Sequence, residues 1–184
     1  MIGVLVSGEG SNLQALLDAG LPVIAVASNL PGVRALERAD EARVPTAAFA
    51  LADYDNRTER DDAMADWLAE RHVELVVCAG YMHLLTRPFL DRFTVINVHP
   101  SLLPAFPGMR AIEEALAAGV RQTGVTVHFV DEGVDSGPVI LQEPVPVEDG
   151  DTPASIRARI HEVEHRLLPR AARLVLSGDV ALGR

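Results

Sequence analysis

The chain has 184 residues, 48% of them hydrophobic, and a formal net charge of −10 with a pI near 5.0. These values suit one folded domain over residues 1–184 and disfavour a nucleic acid partner, because no positive field would attract a polyanion. No apolar stretch approaches the roughly 20 residues that span a bilayer, and no signal peptide is visible. The only cysteine, Cys78, lies in an apolar run. We therefore expect a buried thiol and a cytoplasmic protein.

The first two thirds of the chain alternate short apolar runs with helical patterns. A glycine turn follows the first run, and Pro31-Gly32 introduces the second helix. The predicted strands are residues 2–6, 23–27, 73–78 and 95–98, and predicted helices follow the first two strands and cover about 57–71, 87–92 and 109–118. This alternation predicts an α/β fold whose mostly parallel central sheet has helices on both faces.

The pattern changes after Gly124. Residues 125–130 and 139–147 read as two extended strands on either side of a turn-rich acidic segment. Thr152, followed by Pro153, is predicted to cap a last helix that runs toward Leu168. We therefore expect an antiparallel C-terminal portion in the sheet.

The turn at residues 7–12, Ser-Gly-Glu-Gly-Ser-Asn, is a candidate phosphate site. Its glycines allow close backbone approach, and the following helix would present free N–H groups to an anion. The spacing Gly8-x-Gly10, without a third glycine or a Lys, matches neither a dinucleotide fingerprint nor a Walker A loop. Helix capping by Ser11 or Asn12 without any ligand is the alternative.

The segment Asn97-Val98-His99-Pro100 lies at the carboxyl end of a predicted strand, at the edge of the sheet where ligands of open α/β folds bind. Side chains alternate along a strand, so Asn97 and His99 should point to the same side. An amide that donates to an oxyanion and an imidazole that carries a proton suit acyl chemistry. A structural histidine is the alternative, although three prolines and Gly108 favour a rigid functional loop.

Two further groups of residues are weaker candidates for a functional site. In the acidic segment 131–138, Asp135 either belongs to a solvated turn or orients His99 and stabilises its charged form. His128 either lies near that carboxylate or belongs to the core. On the last helix, His161 and Glu164 share a face, which is either solvated or meets a polar substrate group. No histidine and acid spacing fits zinc, so no metal is assigned.

Together these motifs resemble the phosphoribosylglycinamide formyltransferase family, folate-dependent enzymes of purine synthesis. The resemblance extends from about residue 2 to residue 169. It rests on SGxGSNLQ at residues 7–14, AGYM at 79–82, NxHPSLLP at 97–104, VHFV at 127–130 and DxGP at 135–138. It implies a Rossmann-like formyltransferase fold.

The resemblance implies that a formyl group passes from 10-formyltetrahydrofolate to the amine of glycinamide ribonucleotide, with no metal. Asn97, His99 and Asp135 match the catalytic set of the family. The amine would attack directly while Asn97 and a protonated His99 stabilise the oxyanion, and Asp135 would keep His99 oriented and charged. A proton would move through His99, Asp135 or an ordered water.

The resemblance also implies two binding surfaces. The ribonucleotide would contact the backbone of Gly10, Ser11 and Asn12, together with His161 and Glu164. The folate would contact Arg57, Met82, His83, Leu84, Val130, Asp131 and Asp135. The chain departs from the family at His83, where many relatives have Arg, at Ala105, where Lys is common, and at His161, where Gln is found. Backbone contacts should tolerate these departures better than side-chain contacts to the folate glutamate.

Three rival functions share parts of this pattern. Formyltetrahydrofolate deformylases normally carry a regulatory domain before the catalytic one, and methionyl-tRNA formyltransferases carry a C-terminal domain and basic surface, neither of which this sequence predicts. A non-catalytic nucleotide-binding α/β domain would require a broken Asn, His and Asp set, which is intact. A monomer and a homodimer remain equally compatible with the sequence.

Overall fold

The computed structural model describes residues 1–182, which form a seven-stranded sheet with helices around it. The sheet order is β3-β2-β1-β4-β5-β6-β7. The strands are β1 Ile2–Val6, β2 Val23–Ser28, β3 Thr46–Ala48, β4 Leu75–Cys78, β5 Thr94–His99, β6 Gln122–Phe129 and β7 Val139–Pro146. The helices are α1 Ser11–Asp18, α2 Arg34–Glu41, α3 Arg57–Ala69, α4 Arg87–Arg92, α5 Ala111–Ala117 and α6 Pro153–Leu176, with a 3-10 turn at Leu51–Asp53.

The topology confirms the predicted fold class. Strands β1 to β5 pair in parallel, whereas β6 pairs antiparallel with both β5 and β7. The strand order reverses beside β1, whose neighbours are β2 and β4. Ligands of open α/β sheets bind at the carboxyl ends of the strands near such a reversal. The turn after β1 and the end of β5 both lie at that edge.

Each face of the sheet has its own hydrophobic core. Alternate residues of β1 divide between them, since Val4 and Val6 pack toward α1 and α6 while Leu5 packs toward α3. The larger core includes the buried face of α6, and the smaller one is closed by Met64 and Phe89. Within residues 1–182, no helix combines the length and apolarity that a membrane crossing requires.

The element boundaries depart from the sequence prediction in several places. Strand β3 and the 3-10 turn were not predicted, because β3 is only three residues long and has no fully buried residue. Helix α6 continues past Leu168 to Leu176 with Pro169 inside it, and the buried face around that proline outweighs the lost backbone hydrogen bond. Strand β6 begins at Gln122 because β7 pairs with it that far.

Candidate functional site

The end of β5 places the predicted catalytic side chains around one carboxylate. Asn97 Nδ2 lies 3.4 Å from Asp135 Oδ1, and His99 Nδ1 lies 3.3 Å from Asp135 Oδ2. The β5–β6 register sets Asn97 directly opposite His128. Residues that are 38 positions apart in sequence therefore meet at the edge of the sheet. The expectation that Asn97 and His99 face the same side is confirmed.

His99 is held at both ring nitrogens. Its Nε2 lies 2.8 Å from the carbonyl oxygen of Phe106, while Nδ1 faces Asp135. A carbonyl oxygen and a carboxylate both accept hydrogen bonds, so each nitrogen is best satisfied when it carries a proton. The arrangement thus suits an imidazolium. The ring is only 4% exposed, so a substrate oxygen that uses Nε2 must take the place of the Phe106 carbonyl.

Asp135 is an anion built into the acidic loop. Burial alone would raise its pKa, but the nearby His128, the Gly108 amide and the charge of His99 outweigh burial and lower the pKa. The Gly108 amide donates to Oδ2 at 2.7 Å. Asp135 has φ of +51°, a left-handed conformation that Asp tolerates better than most residues. Gly137 follows because its backbone passes too close to the Phe129 carbonyl for a Cβ.

His128 determines how Asn97 is oriented. His128 Nδ1 lies 2.8 Å from the Phe129 carbonyl and must donate to it, so Nε2 is an acceptor in the neutral ring and a donor in the charged ring. In the neutral ring Asn97 Nδ2 donates to that Nε2 at 3.2 Å, and in the charged ring the Nε2 proton faces Asp135 Oδ1 at 3.6 Å. The second amide hydrogen of Asn97 makes only the long contact with Asp135. That second hydrogen is therefore the one that a substrate oxygen can capture at least cost.

The proline-rich loop after β5 is anchored by β6 and β7. Thr126 Oγ1 donates to the Ser101 carbonyl at 2.7 Å and accepts from the Leu103 amide at 3.1 Å. Gln142 Nε2 donates to the Leu103 carbonyl at 3.0 Å. Ala105, one of the departures from the family, contributes its backbone carbonyl, which accepts from Ser101 Oγ. These bonds fix the loop that carries the Phe106 carbonyl against His99.

The turn after β1 presents free amides rather than a capped helix. Gly10 is the N-cap residue of α1, with φ of +74° and no side-chain cap, and no acidic residue lies in the first turn. A Cβ on Gly10 would lie 2.7 Å from Ala35, so α2 packs directly on this turn. Capping by Ser11 or Asn12 is therefore excluded. The open N-terminus of α1 suits an anion.

Glu164 joins this turn to α6. Asn12 Nδ2 donates to its carboxylate at 3.0 Å, and the side chain is buried. Burial raises the pKa of Glu164 to about 7, although the Asn12 bond and the charge of Arg157 lower it. His161 stacks on His165 with ring centroids 5.9 Å apart. Among the hydrogen bonds of the described residues, none joins His161 to Glu164 or to the turn.

A cleft opens beside the predicted catalytic side chains. Most of the predicted folate residues line it, but Met82 does not, although its neighbours Tyr81 and His83 do and Met82 itself is 54% exposed. Arg57 begins α3 and is not part of the lining, although its charge acts on His83. The lining comprises Cys78, Tyr81, His83, Leu84, Leu85, Asn97, His128, Val130, Asp131, Gly133 and Asp135.

Several polar residues around the cleft were not assigned from sequence. His128 could have been assigned from the strand register, because it lies opposite Asn97. The buried Arg60 and Asn29 gave no local signal, since each depends on His83 from a distant segment. Cys78 is buried as predicted, and burial raises its pKa to about 12. Residues 1–182 contain no cluster of three potential metal ligands.

Comparison with known proteins agrees with this geometry. The sequence pattern of the family described as formyl transferase matches residues 1–172. The phosphoribosylglycinamide formyltransferase of Mycobacterium tuberculosis is 46% identical over 188 residues, which cover 98% of this chain and 87% of that protein. The crystal structure of glycinamide ribonucleotide transformylase 1 from Symbiobacterium toebii superimposes with a TM-score of 0.96 at 46% identity, covering 99% of this chain and 90% of that one.

Larger proteins also contain this unit. The human trifunctional purine biosynthetic protein adenosine-3 is 45% identical over 99% of this chain, but the chain spans only 19% of its length. The bacterial relatives, by contrast, are matched over most of their length. The chain therefore belongs to the formyl transferase family, within which its bacterial relatives of similar length are phosphoribosylglycinamide formyltransferases.

Proposed function

We propose that this protein transfers the formyl group of 10-formyltetrahydrofolate to the amine of glycinamide ribonucleotide, in de novo purine biosynthesis. The observation that carries the proposal is the meeting of Asn97, His99 and Asp135 at the end of β5, between the open N-terminus of α1 and the cleft. One end of this arrangement suits an anionic ribonucleotide and the other an extended heterocyclic donor.

On the ribonucleotide side, the amides of Gly10, Ser11 and Asn12 bind the phosphate, where the α1 dipole favours negative charge. Glu164 accepts hydrogen bonds from the ribose hydroxyls, and its bond to Asn12 keeps it beside the phosphate. His161 lies one helical turn away from Glu164 and supplies a further polar contact. Net negative charge elsewhere on the protein makes this local amide cluster the main attraction for the phosphate.

On the donor side, the folate occupies the cleft. Backbone groups along Met82–Leu84 and along Val130–Asp135 recognise the edge of the pterin, with His83, Leu84 and Asp131 among the cleft residues. The Met82 amide is already bonded to Ser7 Oγ, so carbonyl groups and the remaining amides make these contacts. Arg57, at the start of α3 and outside the cleft lining, acts electrostatically on His83 and meets the negatively charged tail of the donor.

In the reaction, a bond forms between the ribonucleotide amine and the formyl carbon, and the bond from that carbon to the folate nitrogen breaks. Asn97 donates its second amide hydrogen to the formyl oxygen as negative charge develops there. His99 adds positive charge once the oxygen replaces the Phe106 carbonyl at Nε2. The amine loses one proton and the folate nitrogen gains one, and Asp135 with His99 or an ordered water carries it.

The wider assignments follow from the same proposal. The chain acts as a single formyltransferase domain over residues 1–184 in the cytoplasm, as a monomer or homodimer, on two small-molecule substrates. It requires no metal, because the oxyanion is met by Asn97 and His99. It binds neither nucleic acid nor membrane, in keeping with the net charge of −10.

The decisive assay uses purified protein with 10-formyltetrahydrofolate, with and without glycinamide ribonucleotide. We expect release of tetrahydrofolate only when the ribonucleotide is present, together with formylated product. Release that ignores the ribonucleotide would instead assign a deformylase-like hydrolase. No turnover under either condition would assign a non-catalytic nucleotide-binding domain.

A variant pair tests the role of His99 in that assay. His99→Ala should lower kcat by at least about 100-fold, because it removes a proton carrier and a positive charge. The control is His72→Asn, an exposed histidine with φ of +59° that Asn tolerates. A near-normal His99→Ala enzyme would contradict the mechanism.

A further inference from the structure

A fully buried ion pair on α3 lies behind the cleft and has no part in the reaction proposed above. Arg60 and Asp61 are both 0% exposed, and Arg60 Nε donates to Asp61 Oδ1 at 2.8 Å. Asp61 Oδ2 accepts from the Thr86 amide at 2.8 Å. Such a pair costs desolvation energy, and an apolar pair would serve packing as well. Packing alone therefore does not explain why these two residues are charged.

That role is indicated by His83, which lines the cleft. Arg60 Nη1 lies 2.6 Å from His83 Nδ1. A guanidinium can only donate, so Nδ1 must carry a lone pair rather than a proton. The ring is then neutral, with its one proton on Nε2. A protonated His83 would set two N–H groups and two positive charges against each other.

The proton on Nε2 determines how His83 contacts its next neighbour, the Asn29 side chain. Nε2 lies 3.2 Å from one terminal atom of the Asn29 amide, which must be its oxygen because the ring now donates. The other terminal atom of that amide lies 2.5 Å from Ser7 Oγ, so Asn29 connects the imidazole to Ser7. Ser7 Oγ also accepts from the Met82 amide at 2.9 Å. Arg60, His83 and the Met82 amide thus each donate to an acceptor in this series.

We propose that Arg60 is a positioning residue for the donor cleft. It holds His83 as the neutral Nε2–H tautomer and, through Asn29 and Ser7, fixes the backbone at Met82. The inference rests on the proposed function only for its kinetic consequence, because the tautomer follows from hydrogen-bond geometry alone. It also means that His83 cannot supply a positive charge to an anionic donor tail, which leaves that task to Arg57.

The charges around His83 agree with this assignment. Burial lowers its pKa first, the charge of Arg60 lowers it further, and Arg57 adds to the same effect. Asp61 opposes them, but its carboxylate is bonded to Arg60. The Tyr81 ring lies 5.9 Å from the imidazole and burial raises its own pKa, so it adds no negative charge near neutral pH.

The first test is NMR of histidine-labelled wild-type protein, with the His83→Gln spectrum used for assignment. We expect His83 to show a protonated Nε2 and an unprotonated Nδ1 from about pH 6 to pH 8. A proton on Nδ1, or on both nitrogens at pH 7, would overturn the inference. This measurement needs no substrate, so it stands whether or not the protein transfers formyl groups.

The second test removes both buried charges at once. Arg60→Met alone would leave the buried Asp61 without a charged partner, whereas Arg60→Met with Asp61→Asn removes both charges and keeps an acceptor for the Thr86 amide. In the double variant we expect His83 to sample both tautomers and to titrate at higher pH. The KM for 10-formyltetrahydrofolate should rise about tenfold, or about 1.4 kcal/mol, and that for the ribonucleotide less than about twofold.

The control is Arg92→Met, which removes an exposed arginine that pairs with Asp66 of α3 at 2.8 Å. It should change neither the His83 spectrum nor the KM for either substrate. A double variant that folds and keeps both the wild-type tautomer and the wild-type KM would overturn the positioning role of Arg60. Absence of formyl transfer by the wild-type protein would overturn the proposed function instead.

Discussion

The proposed reaction centre and the proposed phosphate turn satisfy their polar groups in opposite ways. At the end of β5, both nitrogens of His99 and both amide hydrogens of Asn97 have partners within the protein. At the start of α1, the amides have no side-chain cap and α2 closes the turn from behind. The polar groups of the first region are satisfied within the protein, whereas the amides of the second can donate to an anion.

Because of this difference, we expect mutations in the two regions to change different kinetic parameters. A buried, mutually bonded set loses its geometry when one member changes, so the rate of the chemical step should fall. An open helix terminus contributes to substrate binding through backbone groups, so its perturbation should appear mainly in KM. The following experiments test that separation, beginning with the largest expected effect.

The carboxylate that joins Asn97 and His99 should matter most. Asp135→Asn keeps an acceptor for the Gly108 amide but removes the negative charge that favours a charged His99. We expect kcat to fall about a thousandfold with little change in KM for the ribonucleotide. Steady-state kinetics give both values, and Glu132→Gln on the exposed part of the same loop is the control. An Asp135→Asn enzyme with a fall in kcat below about tenfold would contradict this role.

Glu164, at the border of the two regions, should make stability depend on pH. Its pKa rises from 4.5 to about 7 on folding, so the folded protein binds this proton more tightly than the unfolded chain does. The stabilisation is complete below about pH 4.5 and is lost as pH rises through 7. It amounts to about 3 kcal/mol at most, since one pKa unit equals about 1.4 kcal/mol.

Urea unfolding between pH 4.5 and 8 measures this effect. Glu164→Gln should remove the part of the pH dependence that falls in this range, because the amide stays neutral and can still accept from Asn12. It should also raise the KM for the ribonucleotide. Glu162→Gln, an exposed carboxylate on the same helix, should leave the slope unchanged. Identical slopes for wild type and Glu164→Gln would show that the carboxylate is already ionised in the folded protein.

The phosphate turn should respond to a single methyl group. Gly10→Ala places a Cβ 2.7 Å from Ala35 at a φ of +74°, so it should destabilise the fold by more than the about 1–2 kcal/mol that the left-handed backbone alone costs. The displaced amides should raise the KM for the ribonucleotide about tenfold while kcat stays within about threefold. Gly20→Ala shares the positive φ but meets open space, so it should reproduce only the backbone strain. An unchanged KM in Gly10→Ala would remove the turn from the binding site.

The smallest expected effect is that of salt, which should change binding at the phosphate turn but not the rate at the proposed reaction centre. Attraction between a phosphate and the α1 terminus is screened by ions, so the KM for the ribonucleotide should rise about two- to fivefold between low and high salt. The buried centre should keep its kcat. Initial rates at several salt concentrations test this, and a fall in kcat that exceeds the rise in KM would contradict the separation.

Local sequence patterns were sufficient to predict the elements whose structure depends on residues that are close in sequence. The period of apolar residues identified β1, β5 and the helices, and Thr152 with Pro153 marked the start of α6, where Thr152 caps the helix. The glycine turn and the Asn97-x-His99 spacing located both halves of the candidate site. Three isolated residues of β3 lacked such a pattern.

The amino-acid sequence by itself therefore determined the fold class, the family and which side chains could carry the chemistry. Tertiary structure alone decided how those side chains are protonated and oriented. His99 meets the Phe106 carbonyl, Asn97 meets His128 across the β5–β6 register, and the buried Arg60 reaches His83 from another helix. The reason is physical, because the state of a titratable or amide group depends on which donor or acceptor faces it, and those partners come from distant parts of the chain.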